Sequence, residues 1–103
     1  VIDAFMLVIA IFFIAPIIEE IIFRGVGYGS LKNTRYGVTG AVILTSLLFT
    51  FIHLQYDIVN MLCILPLAFL LGYIRYKTDN IWYCIALHFQ INVLSSILLF
   101  TIG

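Results

Sequence analysis

Charge is what this chain lacks. Only 10% of its 103 residues are Asp, Glu, Lys or Arg, against about 25% in ordinary soluble domains. The formal net charge is zero, and the absence of a basic arm or patch excludes the electrostatic footprint of a nucleic-acid partner. Cysteine is scarce too: Cys63 and Cys84 lie in apolar runs without C-x-x-C spacing, so both are expected as buried, inert thiols rather than a disulfide or a metal site. The opening segment has neither a basic n-region nor a small-residue cleavage site and reads as a spanning helix, not a signal peptide. No internal repeat, low-complexity tract, Gly-x-Ser-x-Gly elbow or His-Glu-x-x-His pair occurs.

What fills the chain is apolar: 64% of residues are hydrophobic, and the mean hydropathy is +1.20. Polar knots at Lys32-Asn-Thr-Arg-Tyr-Gly37, Gln55-Tyr-Asp57 and Tyr76-Lys-Thr-Asp-Asn80 leave segments near the roughly 20 residues that cross a bilayer core. Such segments must satisfy their own backbone groups, as helices or as a closed barrel, and the alternation of barrel strands is missing. The expectation is an all-α, polytopic membrane helix bundle with four transmembrane helices, 4–32, 38–55, 58–75 and 81–101. Residues 1–103 form one unit, expected to be the core of a longer membrane protein. The first helix leaves two options: it stops at Arg24, or it runs through Gly25-Val-Gly-Tyr-Gly-Ser-Leu31 toward Asn33. All five basic residues, Arg24, Lys32, Arg35, Arg75 and Lys77, lie at or near the first and third turns. The positive-inside rule puts those turns in the cytoplasm.

Charges inside a spanning segment cost about 2.5–3.5 kcal/mol each on insertion scales and usually face an interior or a cavity. Glu20 and Arg24 stand at i and i+4, the favoured order for a helical pair, and are expected to be a structural ion pair. Glu19 has Phe23 and Pro16 as its nearest helical neighbours and needs a partner elsewhere. The two histidines, His53 and His88, are the candidates; either alone is commonly a hydrogen-bonded core residue. Glu19 and His53 are equally distant in sequence from Tyr36, so a helical hairpin with an extended first helix sets them at one depth. His88 follows its turn by about ten residues, or ~15 Å, and Asn92 lies one turn further on the same face.

A buried carboxylate and an imidazole can hold and deprotonate a water, while amide or imidazole N–H groups can stabilise an oxyanion. Hydrolysis of an amide bond fits that set. Ser46, Ser95 and Ser96 are expected to bond their own helix carbonyls. Glu19, His53 and His88 could equally be a His₂Glu zinc site with an open position. Against zinc stand the missing His-Glu-x-x-His spacing, the lack of an evident carboxylate partner for either imidazole, and Asn92, a better oxyanion donor than zinc ligand. The residues favour no metal cofactor, with zinc on Glu19, His53 and His88 as the alternative.

These residues resemble the CPBP intramembrane protease family, which includes type II CAAX prenyl endopeptidases and bacterial relatives linked to bacteriocin maturation and self-immunity. The motif EExxxR is matched by Glu19-Glu20-Ile-Ile-Phe-Arg24, FxxxH by Phe49-Thr-Phe-Ile-His53, and HxxxN by His88-Phe-Gln-Ile-Asn92. The resemblance implies an intramembrane endopeptidase, of a kind often labelled metalloprotease, in which Glu19 and His53 activate water and His88 and Asn92 support the oxyanion. It further implies membrane lipid and a membrane-associated peptide or protein as partners, no nucleic acid, and a multi-pass protein, expected in a bacterial plasma membrane. A bacterial source would make a leader peptide or membrane protein a better substrate than a prenylated one. The alternatives are a non-catalytic immunity or interaction protein of the same family, and a proton or ion path built from the same Glu and His residues.

Overall fold

The computed structural model describes residues 3–53 and 55–102. The first helix, α1, runs unbroken through Ala4–Lys32, so of the two options the extended one holds. Asp3 starts it by accepting the Met6 N–H at 2.9 Å, which satisfies one of the free donors of a first turn. Two stretches inside α1 widen to π-helix, Ala10–Ile14 and Ile21–Gly27. Pro16 follows the first of them; it has no N–H to return to the preceding turn, and its ring crowds the carbonyl there. The second carries Arg24, and π turns inside α-helices recur at functional sites.

Thr34 Oγ1 closes the next turn on Leu31 O at 2.6 Å, and Gly37, at φ 65°, takes the left-handed conformation that redirects the chain. Helix α2 spans Gly37–Phe51, α3 Ile58–Thr78 and α4 Ile81–Ile102. Asp57 caps α3 through the Asn60 N–H at 2.8 Å, and Asn80 Oδ1 accepts the Trp82 N–H at 3.0 Å at the start of α4. Helix α2 packs along α3 and the end of α1, α3 packs on α4, and α4 returns to the middle of α1. Gly72 permits the close approach of α2 and α3, since a Cβ there would meet Val42 Cγ1 at 2.9 Å.

The bundle is turned inside out relative to a water-soluble fold. Phe100 is 91% exposed, whereas Glu20, Arg24 and Ser46 are fully buried. Lipid tails solvate apolar side chains, so polar groups retreat to the interior and small residues let the helices meet. Among the described residues three helices, Ala4–Lys32, Ile58–Thr78 and Ile81–Ile102, are long and apolar enough to cross a membrane. The chain is an all-α, multi-pass integral membrane protein. Helix α2 is apolar but stops at Phe51, four residues short of the expected 38–55 span; its 15 residues cover ~22 Å of a core about 30 Å thick.

Two expectations about small polar side chains need correction. Cys63 is exposed and only Cys84 is buried; Cys84 Sγ lies 3.4 Å from Leu71 O. Ser46 Oγ is buried and has no hydrogen-bond partner among the described residues. Its neighbours take the helix carbonyls instead, Thr45 on Ala41 at 2.7 Å and Thr50 on Ser46 O at 2.9 Å.

Candidate active site

The site forms where the end of the Ala15–Glu20 stretch of α1 meets α4, with Arg24 reaching in from the second π segment. Arg24 Nη1 donates to Glu20 Oε2 at 3.1 Å, with both side chains fully buried. Its Nη2 donates to Ala68 O of α3 at 2.7 Å, and its guanidinium carbon stands 4.7 Å from the centroid of the Phe49 ring. The widened turn changes the carbonyl pairing of a normal helix, and Arg24 O accepts from Arg75 Nε of α3 at 2.9 Å. One arginine thus ties three helices together around a carboxylate.

His88 completes the cluster from α4. Its Nδ1 lies 2.7 Å from Glu20 Oε2, the oxygen that also receives Arg24. Its Nε2 lies 4.0 Å from Glu19 Oε2, a charge contact too long for a hydrogen bond. Glu19 is half-buried, and that Oε2 has no hydrogen-bond partner among the described residues. The cluster is therefore a buried Glu–His–Arg network in an apolar surrounding, an arrangement consistent with a catalytic site.

His53 does not lie on a helix as expected, but in the turn after α2. The end of α2 explains this. The His53 N–H bonds Thr50 O at 3.0 Å, tightening the last turn, and the ring Nδ1 sits 2.7 Å from Phe49 O. A helix end leaves carbonyls without intrahelical partners, and a histidine four residues on can cap one. A carbonyl only accepts, so Nδ1 bears a proton, and in the neutral ring Nε2 is then the bare nitrogen.

Among the described residues no hydrogen bond or ion pair joins Glu19 to His53. The two histidines are linked instead through Phe49, whose ring centroid is 4.9 Å from that of His53 and 5.8 Å from that of His88. Tyr56 stacks on the far side of the site, 5.9 Å from the His53 ring. Sequence reasoning passed over Phe49 as a motif marker; its place four residues before His53 is the available signal that both share a face. A cavity of about 440 Å³ opens here, walled by Phe49, His53, His88 and Asn92 and continued by apolar side chains of α3 and α4. Its size suits a peptide side chain or a small ligand.

For a metal, one ground raised from sequence falls: His88 does have a carboxylate partner, Glu20, in the arrangement that orients zinc-binding imidazoles. Among the described residues no three His, Cys, Asp or Glu side chains are grouped around one ion position. No step below runs through a metal.

The model of the family described as type II CAAX prenyl endopeptidase Rce1-like matches residues 2–94. No curated protein and no solved structure matches the chain significantly. The matched span contains Glu19, Glu20, Arg24, His53, His88 and Asn92 and nearly all of the four-helix bundle that carries them, and on that evidence the chain belongs to the Rce1-like CAAX protease family.

Proposed function

We propose that this protein is an intramembrane endopeptidase that hydrolyses a peptide bond of a membrane-associated peptide or protein with an activated water. The observation that carries the reading is a single cavity bordered by two histidines and an amide, next to a buried carboxylate cluster. His53, with Nδ1 committed to Phe49 O, offers in its neutral form a bare Nε2 that can accept a hydrogen bond from the water. Glu19 is the carboxylate without a cationic partner on its own helix, and with His53 it takes up and polarises the water. His88 and Asn92 serve the carbonyl under attack. Asn92, half-buried on the cavity wall, supplies a neutral N–H donor toward the developing oxyanion.

In this reading Gly37–Phe51 and the turn after it form a fourth, short crossing, met by local thinning of the bilayer. The basic turns face the cytoplasm, so the cut falls toward that face. In a bacterial plasma membrane the substrate class is a leader peptide or membrane protein segment. Reconstitution in proteoliposomes with transmembrane peptides tests the reading. Cleavage by the native chain that is lost in Glu19→Gln and His53→Ala supports it; a folded Glu19→Gln protein with undiminished cellular function shows a binding or immunity role instead.

A further inference from the structure

We propose that Glu20 is a positioning residue for His88: it holds the Nδ1 proton and so makes Nε2 the nitrogen that carries a proton during the reaction. The inference rests on the hydrolase reading and assigns to Glu20 more than its part in an ion pair. Its basis is the sharing of one oxygen. Glu20 Oε2 receives Arg24 Nη1 at 3.1 Å and faces His88 Nδ1 at 2.7 Å. A carboxylate engaged by a guanidinium is an acceptor, so the imidazole must bring the hydrogen. A neutral imidazole has one N–H, and here it is spent on Glu20.

The consequence concerns the oxyanion. With Nδ1–H committed, neutral His88 presents a lone pair at Nε2 and repels an oxyanion rather than stabilising it. His88 becomes a donor there only with a second proton. The nearest acid is Glu19, its Oε2 4.0 Å from Nε2, a gap closed by one side-chain rotation or a bridging water. The charged groups facing the ring are Glu19, Glu20 and Arg24, all from α1; α2 adds His53 through Phe49, and α3 meets the cluster through Ala68 O on Arg24.

The proton then has a closed path. As the water oxygen bonds to the carbonyl carbon, its proton passes to Glu19 and on to His88 Nε2. The imidazolium stabilises the oxyanion and gives the proton to the departing amine as the C–N bond breaks. Glu19 returns to carboxylate and His88 to the Nδ1–H form. Glu20 touches neither water nor substrate in this sequence.

Removing Glu20 alone strands Arg24, so the informative variant is Glu20→Met with Arg24→Met. Exchanging both members of a buried pair for apolar residues is often neutral to stability. Nitrogen NMR of histidine-labelled protein in nanodiscs reads the ring directly, and the chain holds only two histidines. In the native protein the His88 ring is expected to carry a proton on Nδ1, facing Glu20. In the double variant the neutral ring shifts toward the Nε2–H form, and kcat on a cleaved transmembrane peptide falls about 10–100-fold, the usual effect of losing a histidine's orienting partner, with KM unchanged. A native His88 whose only proton sits on Nε2 overturns the proposal, as does a folded double variant with native kcat. If the double variant fails to fold, the native spectrum decides alone. If the native protein cleaves nothing, the hydrolase reading fails while the spectrum still decides the role of Glu20.

Discussion

Glu20 and His88, 68 positions apart in the chain, meet at 2.7 Å inside a bundle whose outer surface is apolar. The contact fixes the register of α4 against α1 and the rotation of the imidazole at once. It also makes the buried charges interdependent, because Arg24 binds the same oxygen.

That sharing sets the cost of single substitutions. Glu20→Ala leaves Arg24 buried without its counter-ion, holding only Ala68 O, and Arg24→Ala leaves buried Glu20 with only the His88 contact; breaking a buried pair from one side costs about 3–5 kcal/mol. Each variant should yield less folded protein and a lower thermal midpoint in detergent. Arg24→Ala that folds normally yet cleaves nothing would move Arg24 into substrate binding.

Topology gives a second prediction. The expected orientation puts Gln55 outside and Lys77 in the cytoplasm. In a Cys63→Ser background, which removes the exposed native thiol, Gln55→Cys should react with an impermeant reagent from the non-cytoplasmic side and Lys77→Cys from the cytoplasmic side. Labelling of both from one side overturns the orientation.

A third prediction concerns the turn between α3 and α4. Asp79 ends α3 at φ 48° and pairs with Arg75 Nη1 at 2.9 Å. The Arg75 hydrogen bond, the Lys32 charge and the Arg75 charge, in that order, hold its carboxyl below the ordinary value. A folded-state pKa below the unfolded one adds stability that is present above the unfolded value and lost as pH falls through the folded one. Asp79→Asn keeps a residue tolerant of the left-handed conformation and removes the titration. The thermal midpoints of native and variant should therefore differ slightly near neutrality, and the gap should close as pH falls below the ordinary Asp value of about 3.9. A gap that widens in acid contradicts the assignment.

The metal alternative has its own test. Purified protein should keep its activity in chelator, with no stoichiometric zinc by elemental analysis. Activity lost on chelation and restored by zinc would make Glu19, His53 and His88 ligands and replace the water-activation scheme.

Sequence reached the helical class, the long first helix as one of two options, and the Glu20–Arg24 spacing, because these depend on local periodicity and hydropathy. It paired Glu19 with His53 by equal distance from Tyr36, which assumes straight helices on both arms. The π turns in α1 and the early end of α2 at Phe51 break that assumption, and the nearest imidazole to Glu19 is His88. The Glu20–His88 bond depends on helix rotation set by tertiary packing, such as Ile81 against Gly25 at 3.3 Å from an added Cβ, which no local pattern encodes. Cys63 was expected buried because its run is apolar, but in a membrane protein an apolar run says little about which face meets lipid.

The most direct test of the central claim is a survey of new protein termini in cells carrying either the native chain or Glu19→Gln at equal folded abundance. The account predicts termini present with the native chain and absent with Glu19→Gln, lying in or beside membrane segments near their cytoplasmic ends. Identical termini in the two cell lines would contradict it.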